Sequence, residues 1–182
     1  KEAATKIISY EKPIDILINN AATIHTALFQ MTSKKKLMEI FEVNFFSQTI
    51  FTQYILKSMI KKKSGSIVYI SSSAATDGNE GRSAYVASKA ALNAYVRSVA
   101  RYISPDNVII TAVMPGAVFT EGGYWDEALQ NRPKHVERYL KERIAIKRFG
   151  KLSEISEAVT FLCSEHSGFC VGTCMVIDGG QG

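Results

Sequence analysis

Short apolar runs rich in Val and Ile alternate along this chain with long segments of helical pattern. Runs of this length and composition predict strands that are buried on both faces of a sheet. The predicted order is strand 14–18, helix 33–62, strand 67–71, helix 85–103, strand 108–114, helix 153–163 and strand 173–177. Strands that alternate with helices predict an α/β fold with a parallel sheet and crossover helices.

Length and composition narrow the class of protein. The 182 residues suit one domain, and a hydrophobic content of 46% is enough for a buried core. No apolar run approaches the roughly 20 residues that cross a bilayer, so we expect no membrane partner. The three cysteines are an odd number without framework spacing, which favours a reducing, cytoplasmic location.

Tyr85 and Lys89 are four residues apart in the predicted helix 85–103, so they lie on one helical face. Of the eight tyrosines, only Tyr85 is followed four residues later by a lysine. A lysine ammonium at this distance stabilises an ionised phenol, which can then exchange a proton with a substrate oxygen. Ser72 follows the predicted strand 67–71, at the sheet edge where open α/β folds bind ligands. We therefore expect a site for carbonyl reduction or alcohol oxidation.

Further motifs follow one another in a family-like order. They are Asn19-Asn20-Ala21-Ala22, Asn44, Pro115-Gly116 with Val118 and Thr120, Arg148-Phe149-Gly150, Glu154, and Asp178-Gly179-Gly180. In these motifs, and in Ser72, Tyr85 and Lys89, the chain resembles the short-chain dehydrogenase/reductase family over essentially its whole length. The resemblance implies a Rossmann-type doubly wound sheet and an NAD(P)-dependent oxidoreductase, which moves hydride between nicotinamide and a carbonyl or secondary alcohol.

The resemblance also implies a catalytic tetrad of Asn44, Ser72, Tyr85 and Lys89. Tyr85 would be the general acid/base, and Lys89 would favour its ionised form and bind the nicotinamide ribose. Ser72 would polarise the carbonyl, since its thirteen-residue spacing to Tyr85 selects it from three consecutive serines. Asn44 would hold a water that relays protons from Lys89, and the alternative is an ordinary packing asparagine.

Cofactor contacts are carried over in the same way. Asn20, Ala21 and Ala22 would pass near the adenosine side, while Pro115, Gly116, Val118 and Thr120, with Tyr85 and Lys89, would bind the nicotinamide end. Ala22 stands where the family usually has glycine, and alanine would be strained there if the position needed a positive φ. The choice between NAD and NADP stays open.

The start of the chain departs from the family pattern. No Gly-x-x-x-Gly-x-Gly precedes Asn19, the first residue is Lys1, and residues 1–10 have the pattern of a helix tail. Family members begin with a strand and a glycine-rich turn that binds pyrophosphate. We therefore expect residues 1–182 to be the C-terminal part of a single Rossmann-type domain whose first βαβαβ portion, roughly 65 residues, is missing. The predicted strand 14–18 would then lie unpaired at an open edge. A natural short form is the alternative.

The segment 121–148 is the predicted substrate lid. Gly122 and Gly123 can act as a hinge, Tyr124 and Trp125 offer aromatic surface, and an apolar face recurs at Val136, Tyr139, Leu140 and Ile144. Residues 132–148 contain seven Lys or Arg against two Glu. This charge favours an anionic substrate, such as a phosphorylated or nucleotide-linked sugar or a carrier-bound 3-oxoacyl group. A solvated lid face is the alternative.

Other partners and functions are weighed as follows. The lysine clusters 34–36 and 61–63 lie at opposite ends of one helix without a binding motif, so we expect no nucleic acid. Cys163, His166, Cys170 and Cys174 lack zinc-knuckle spacing, so we expect no metal.

The family resemblance implies a homotetramer or homodimer built through the long helices. It also leaves two alternatives, a non-catalytic scaffold and an epimerase or dehydratase. Asp106 stands where carrier-dependent relatives usually have a basic residue, which counts against a carrier-bound substrate.

Overall fold

The structure is a computed structural model that describes residues 6–7 and 13–182. The predicted helix tail at 1–10 lies outside these ranges except for residues 6 and 7, which are helical. The strands and main helices are β1 (Ile16–Asn19), α1 (Lys34–Phe41), α2 (Ser47–Lys62), β2 (Gly65–Ile70), α3 (Ala74–Asp77), α4 (Ser83–Ile103), β3 (Val108–Pro115), α5 (Tyr124–Asn131), α6 (Pro133–Arg143), α7 (Leu152–Cys163) and β4 (Cys174–Ile177).

The four strands of this part of the chain form one parallel sheet in the order β1-β2-β3-β4. The central strand β2 is buried on both faces, since Ile67, Val68 and Tyr69 have no exposed surface. Helix α4 packs Leu92 and Val96 into the same core. The predicted α/β fold with a parallel sheet is confirmed, and it places the carboxyl ends of all four strands at one edge.

Strand β1 lies at an edge of this sheet and, within the described residues, pairs with β2 alone. Its Leu17 packs against the core, whereas Ile16 and Ile18 are each 47% exposed on the other side. The sequence predicted that strand 14–18 would lie unpaired at an open edge of the sheet. Its apolar composition is typical of a strand that is buried on both faces.

The predicted helix 33–62 forms, but it is not continuous α-helix. Ser33 caps its N-terminus, with its Oγ accepting a hydrogen bond from the Lys36 amide at 3.2 Å. Between α1 and α2, residues Glu42–Phe46 form a π-helical turn. Because such a turn displaces the regular hydrogen bonds, Gln48 Nε2 donates to the carbonyls of Val43 at 3.2 Å and Asn44 at 3.1 Å. An uninterrupted helix was therefore the wrong prediction here.

The outer face of this helix carries apolar side chains that remain exposed. Met38 is 60% exposed, Phe46 45% and Ile50 46%. This surface suits the subunit contact implied by the family resemblance, which stays a prediction.

Within the described ranges, no helix is both long enough and apolar enough to cross a membrane. Cys163, Cys170 and Cys174 are free, half-buried thiols. In the same part of the chain, no three His, Cys, Asp or Glu side chains come together as metal ligands.

Candidate active site

Ser72 lies just beyond the carboxyl end of β2. The ladder continues past the strand, since the Ser71 amide donates to Val113 O at 2.7 Å and the Ser73 amide to Pro115 O at 3.0 Å. Helix α3 starts directly after these serines, at Ala74. Ser72 is held in place because its Oγ accepts the Ala74 amide at 3.2 Å.

The three neighbouring serines have different environments. The Ser71 hydroxyl donates to Lys89 O at 3.3 Å, and the Ser73 hydroxyl accepts from Gln181 Nε2 at 3.2 Å. Ser71 and Ser73 are buried, whereas Ser72 is half-buried and its hydroxyl proton has no acceptor among the described residues. Ser72 is therefore well suited to donate to a bound molecule, in agreement with the spacing argument.

Tyr85 and Lys89 occupy the first turns of α4 on the face that looks toward Ser72. Tyr85 is half-buried, and Lys89 is only 1% exposed. The Lys89 ammonium donates to Ile70 O at 2.6 Å and lies 5.9 Å from the centre of the Tyr85 ring. Burial lowers the pKa of Lys89 to about 8, because the apolar surroundings disfavour its charge. The predicted helical stacking of the two side chains is present.

Asn44 lies in the π-helical turn and is completely buried. Its Oδ1 accepts from the Thr23 amide at 2.8 Å, and its Nδ2 donates to Thr23 O at 2.9 Å and Ser88 Oγ at 3.0 Å. Ser88 Oγ donates in turn to Tyr85 O at 2.7 Å. Asn44 thereby ties the segment after β1 to the first turn of α4. Among the described residues no hydrogen bond joins it to Lys89, and its predicted relay role stays a prediction.

Ser72 and Tyr85 line one cavity of about 170 Å³, together with Gly116 at the end of β3. Lys89 and Asn44 lie behind Tyr85 and do not line it. The structure thus brings the predicted tetrad together in two layers, with two side chains on the cavity wall and two supporting them.

Gly116 packs closely against the residues at the end of β4. Its amide donates to Ile177 O at 3.0 Å, which holds it against the end of β4. A Cβ on Gly116 would lie 2.5 Å from Asp178 Cβ, far inside van der Waals contact. The second residue of the predicted Pro115-Gly116 pair is therefore glycine for a steric reason.

Val118 and Thr120 lead away from this cavity. Val118 forms a parallel bridge with Gly150 and lines a neighbouring cavity of about 210 Å³, which also contains the ion pair of Arg148 and Glu154. Thr120 O accepts from the Gly123 amide at 3.1 Å, at the start of the predicted lid. Of the four predicted positions in this segment, Gly116 is the one that lines the cavity with Tyr85.

Asn20, Ala21 and Ala22 are exposed at the carboxyl end of β1, and Gln48 Nε2 donates to Ala21 O at 2.5 Å. Ala22 does not have a positive φ, since the non-glycine residues that do within the described ranges are Lys63, Asn107 and Lys147. The strain that the sequence raised for alanine at this position does not arise.

The segment 121–148 contains α5 and α6. Gly122 has a φ of +66°, which favours glycine. The Trp125 ring lies 4.6 Å from Tyr139, 5.0 Å from Tyr124 and 5.1 Å from Phe149, measured between ring centres. Tyr124, Trp125 and Tyr139 also line the cavity opposite Ser72 and Tyr85. The predicted aromatic surface is present; the opening motion of a lid stays a prediction.

The predicted apolar face of the same segment is partly confirmed by burial. Val136 is 0% and Ile144 1% exposed, whereas Tyr139 and Leu140 are half-buried. Burial raises the pKa of the Tyr139 phenol. This face therefore holds the two helices against the domain.

Three polar residues that line the cavity were not predicted, namely Asn79, Arg82 and Gln181. Arg82 lines the wall next to Tyr85, and its guanidinium carbon lies 4.3 Å from the centre of the Tyr124 ring. Gln181 also lines the cavity, and its Nε2 donates to Asp77 Oδ2 at 2.9 Å. The sequence contained a signal for Arg82, which stands three residues before Tyr85. No local pattern connects Gln181 with residues more than one hundred positions earlier.

Comparisons with known proteins identify the family. A family model described as enoyl-(acyl carrier protein) reductase matches residues 1–181. The chain is 34% identical over 180 residues to the 3-oxoacyl-[acyl-carrier-protein] reductase FabG of Aquifex aeolicus, a match that covers 99% of this chain and 70% of the relative. The chain belongs to the short-chain dehydrogenase/reductase family. It is accordingly an oxidoreductase, and its fold is of the Rossmann type.

Solved structures agree with this assignment. A 3-oxoacyl (acyl-carrier-protein) reductase from Agrobacterium tumefaciens, determined with NADP bound, superposes with a TM-score of 0.90 at 28% identity and covers 98% of this chain and 68% of its own. A 7α-hydroxysteroid dehydrogenase in complex with NADH and a 7-oxo bile acid superposes with a TM-score of 0.88, also at 28% identity, and covers 99% of this chain and 68% of its own.

Proposed function

We propose that this short-chain dehydrogenase/reductase uses NAD or NADP to interconvert a carbonyl compound and a secondary alcohol, with residues 1–182 as the C-terminal part of a single Rossmann-type domain. One observation carries the proposal. Ser72 and Tyr85, from different elements, line one cavity, and the buried Lys89 ammonium lies 5.9 Å behind the Tyr85 ring.

Each side chain of the site has a role that follows from its position. The Tyr85 hydroxyl donates a proton to the substrate oxygen during reduction and removes it during oxidation. The Lys89 ammonium stabilises the phenolate form that this exchange requires. The Ser72 hydroxyl, whose proton has no acceptor among the described residues, donates to the same oxygen and stabilises its developing negative charge.

Asn44 supports this geometry from behind. Its hydrogen bond to Ser88, which in turn bonds Tyr85 O, fixes the first turn of α4 against the π-helical turn. We retain the proposal that Asn44 also takes part in proton relay, through a water rather than through its amide group. The amide is suited to the positioning role because it already makes three hydrogen bonds to protein atoms.

The residues present fit a nicotinamide cofactor. An ammonium has three N–H donors, and that of Lys89 uses one of them, to Ile70 O, within the described part of the chain. Its remaining donors suit the hydroxyl groups of a ribose. Gly116 lines the cavity with Tyr85. The further proposed contacts are Asn20, Ala21, Ala22, Pro115, Val118 and Thr120. When bound, the cofactor supplies or accepts the hydride at the substrate carbon.

Two substrate classes are proposed. The names of the curated relatives favour a 3-oxoacyl group. The excess of Lys and Arg in residues 132–148 favours an anionic sugar derivative or another anionic carbonyl compound. The cavity would hold the carbonyl end of either molecule.

The test is nicotinamide-dependent turnover by the full-length protein. Tyr85→Phe keeps the ring but removes the proton donor, and we expect it to lower kcat by at least roughly 100-fold. Tyr102→Phe is the matched control, because Tyr102 lies near the other end of the same helix and is 77% exposed. Circular dichroism would show that both variants are folded. Wild-type turnover by folded Tyr85→Phe would contradict the assigned role, and cofactor binding without any turnover would favour a scaffold.

A further inference from the structure

Arg82 is a charged residue of the cavity for which the proposed chemistry has no use. It lines the same cavity as Ser72 and Tyr85 and is half-buried. Its guanidinium stacks over the Tyr124 ring at 4.3 Å. The ion pairs found in the described residues do not include it, and no protein acceptor there receives a hydrogen bond from it. Its five N–H donors are therefore available to a ligand.

A second cation approaches the same aromatic ring. The Arg132 guanidinium lies 5.9 Å from the centre of the Tyr124 ring, and its Nη2 donates to Tyr124 Oη at 3.4 Å. Arg132 is exposed between α5 and α6, whereas Arg82 precedes α4. Tyr124 is thus flanked by positive charges from the lid and from the residue that precedes α4.

Two carboxylates of the neighbouring elements are held by other groups. Asp77 accepts from Gln181 Nε2 at 2.9 Å and from Thr76 Oγ1 at 3.1 Å. Asp126 accepts from the Gly122 amide at 2.8 Å and from Gln130 Nε2 at 3.3 Å. No carboxylate of the described residues, Glu80 included, lies within 4.0 Å of the Arg82 or Arg132 guanidinium, so the two groups remain free to bind an anion.

We propose that Arg82, with Arg132 at the rim, binds an anionic group of the substrate, a carboxylate or a phosphate. The inference rests on the proposed function and narrows its substrate class. Arg82 and Tyr85 line the same cavity of about 170 Å³, so an anion bound by Arg82 shares this small space with the reacting carbonyl. The anion is therefore only a few bonds from the reacting carbonyl. A short oxo acid or a phosphorylated carbonyl compound has this spacing, and an uncharged acyl chain does not.

Trp125 provides a direct binding assay that does not depend on turnover. It is the one tryptophan of residues 1–182, it lines the cavity, and its ring lies 5.0 Å from Tyr124. Three probes would be titrated into the full-length protein: acetoacetate, its neutral ethyl ester, and dihydroxyacetone phosphate. Comparison of the two anions distinguishes a carboxylate site from a phosphate site.

Arg82→Gln removes the charge and retains a polar side chain of similar length. We expect it to lower the affinity for at least one anionic probe, relative to that for the ester, by roughly 10- to 100-fold, as for the loss of a charge-assisted contact. Arg101→Gln is the matched control, since Arg101 lies exposed in the last turn of the same helix. The proposal would be overturned if wild type and Arg82→Gln had the same ratio of anion affinity to ester affinity. It would also be overturned if neither anion changed the Trp125 fluorescence.

Turnover separates this inference from the function on which it rests. If the ester and acetoacetate are both reduced and Arg82→Gln leaves the ratio of their kcat/KM values unchanged, the anion site is wrong while the reductase function stands. If the fluorescence titrations distinguish the anions as expected but no probe is reduced, the anion site stands and the function is not supported by these substrates.

Discussion

Replacement of Lys89 by methionine should change how the stability of the protein depends on pH. Burial lowers the pKa of Lys89 from its ordinary 10.5 to about 8 in the folded state. This difference corresponds to roughly 3 kcal/mol of unfavourable free energy for the charged side chain. Lys89 is 1% exposed, so solvent screening reduces this figure little. Methionine fills a similar volume and carries no charge.

The direction of the effect follows from the order of proton loss. Below about pH 8 Lys89 is charged in both states, and the full penalty of burial opposes folding. Between about pH 8 and 10.5 the folded side chain loses its proton first, so the unfolded state binds more protons and stability rises with pH. We therefore compare the free energy of unfolding of the wild type with that of Lys89→Met. The difference, wild type minus variant, should increase by roughly 2 kcal/mol between about pH 7 and about pH 9.5.

The measurement is urea unfolding of the two proteins at a series of pH values, followed by circular dichroism. The other titrating groups contribute equally to both proteins, so they cancel in the difference between the two free energies of unfolding. The lost hydrogen bond to Ile70 O adds the same amount to this difference at every pH. Lys57→Met, on the exposed face of α2, is the matched control for the replacement of a lysine by methionine. A flat difference for Lys89→Met, or one of the opposite slope, would refute the burial argument.

Two further predictions concern the supports of the site. Gln48→Leu should destabilise the protein by roughly 1–3 kcal/mol in urea unfolding, because the carbonyls of Ala21, Val43 and Asn44 lose a donor. Gln53→Leu on the exposed side of the same helix should change stability by no more than about 0.5 kcal/mol, and an equal effect of both would contradict the role of Gln48. Gly116→Ala should lower both kcat/KM and thermal stability, since the added Cβ would lie 2.5 Å from Asp178 Cβ. Gly168→Ala is the control, with its closest contact at 3.5 Å, and similar behaviour of the two variants would remove the steric argument.

Much of the fold could be predicted because its signals are local. Val- and Ile-rich runs indicated the four strands, and the observed ends differ by two residues or fewer. The four-residue spacing of Tyr85 and Lys89 was enough to place them on one face of a helix, because helical geometry is regular. The position of Ser72 followed from the rule that parallel strands end at one edge.

Other features depend on contacts between distant segments and could not be predicted from local pattern. The π-helical turn adds one residue to a helix whose apolar residues still recur at helical spacing, so periodicity does not show it. The Asn44 amide bonds Thr23 and Ser88, which only the packed structure brings near. Arg82 contacts the Tyr124 ring, which belongs to a lid helix about forty residues further along the chain.

The central claim is that Ser72 and Tyr85 act on the same substrate oxygen, and a double-mutant cycle tests it directly. Values of kcat/KM would be measured for Ser72→Ala, Tyr85→Phe and the double variant, with one carbonyl substrate and NADPH or NADH. If both hydroxyls serve one oxygen, the double variant should be no slower than Tyr85→Phe within about threefold, because the groups act as a unit. Effects that multiply in the double variant would show that the two side chains act independently and would contradict the claim.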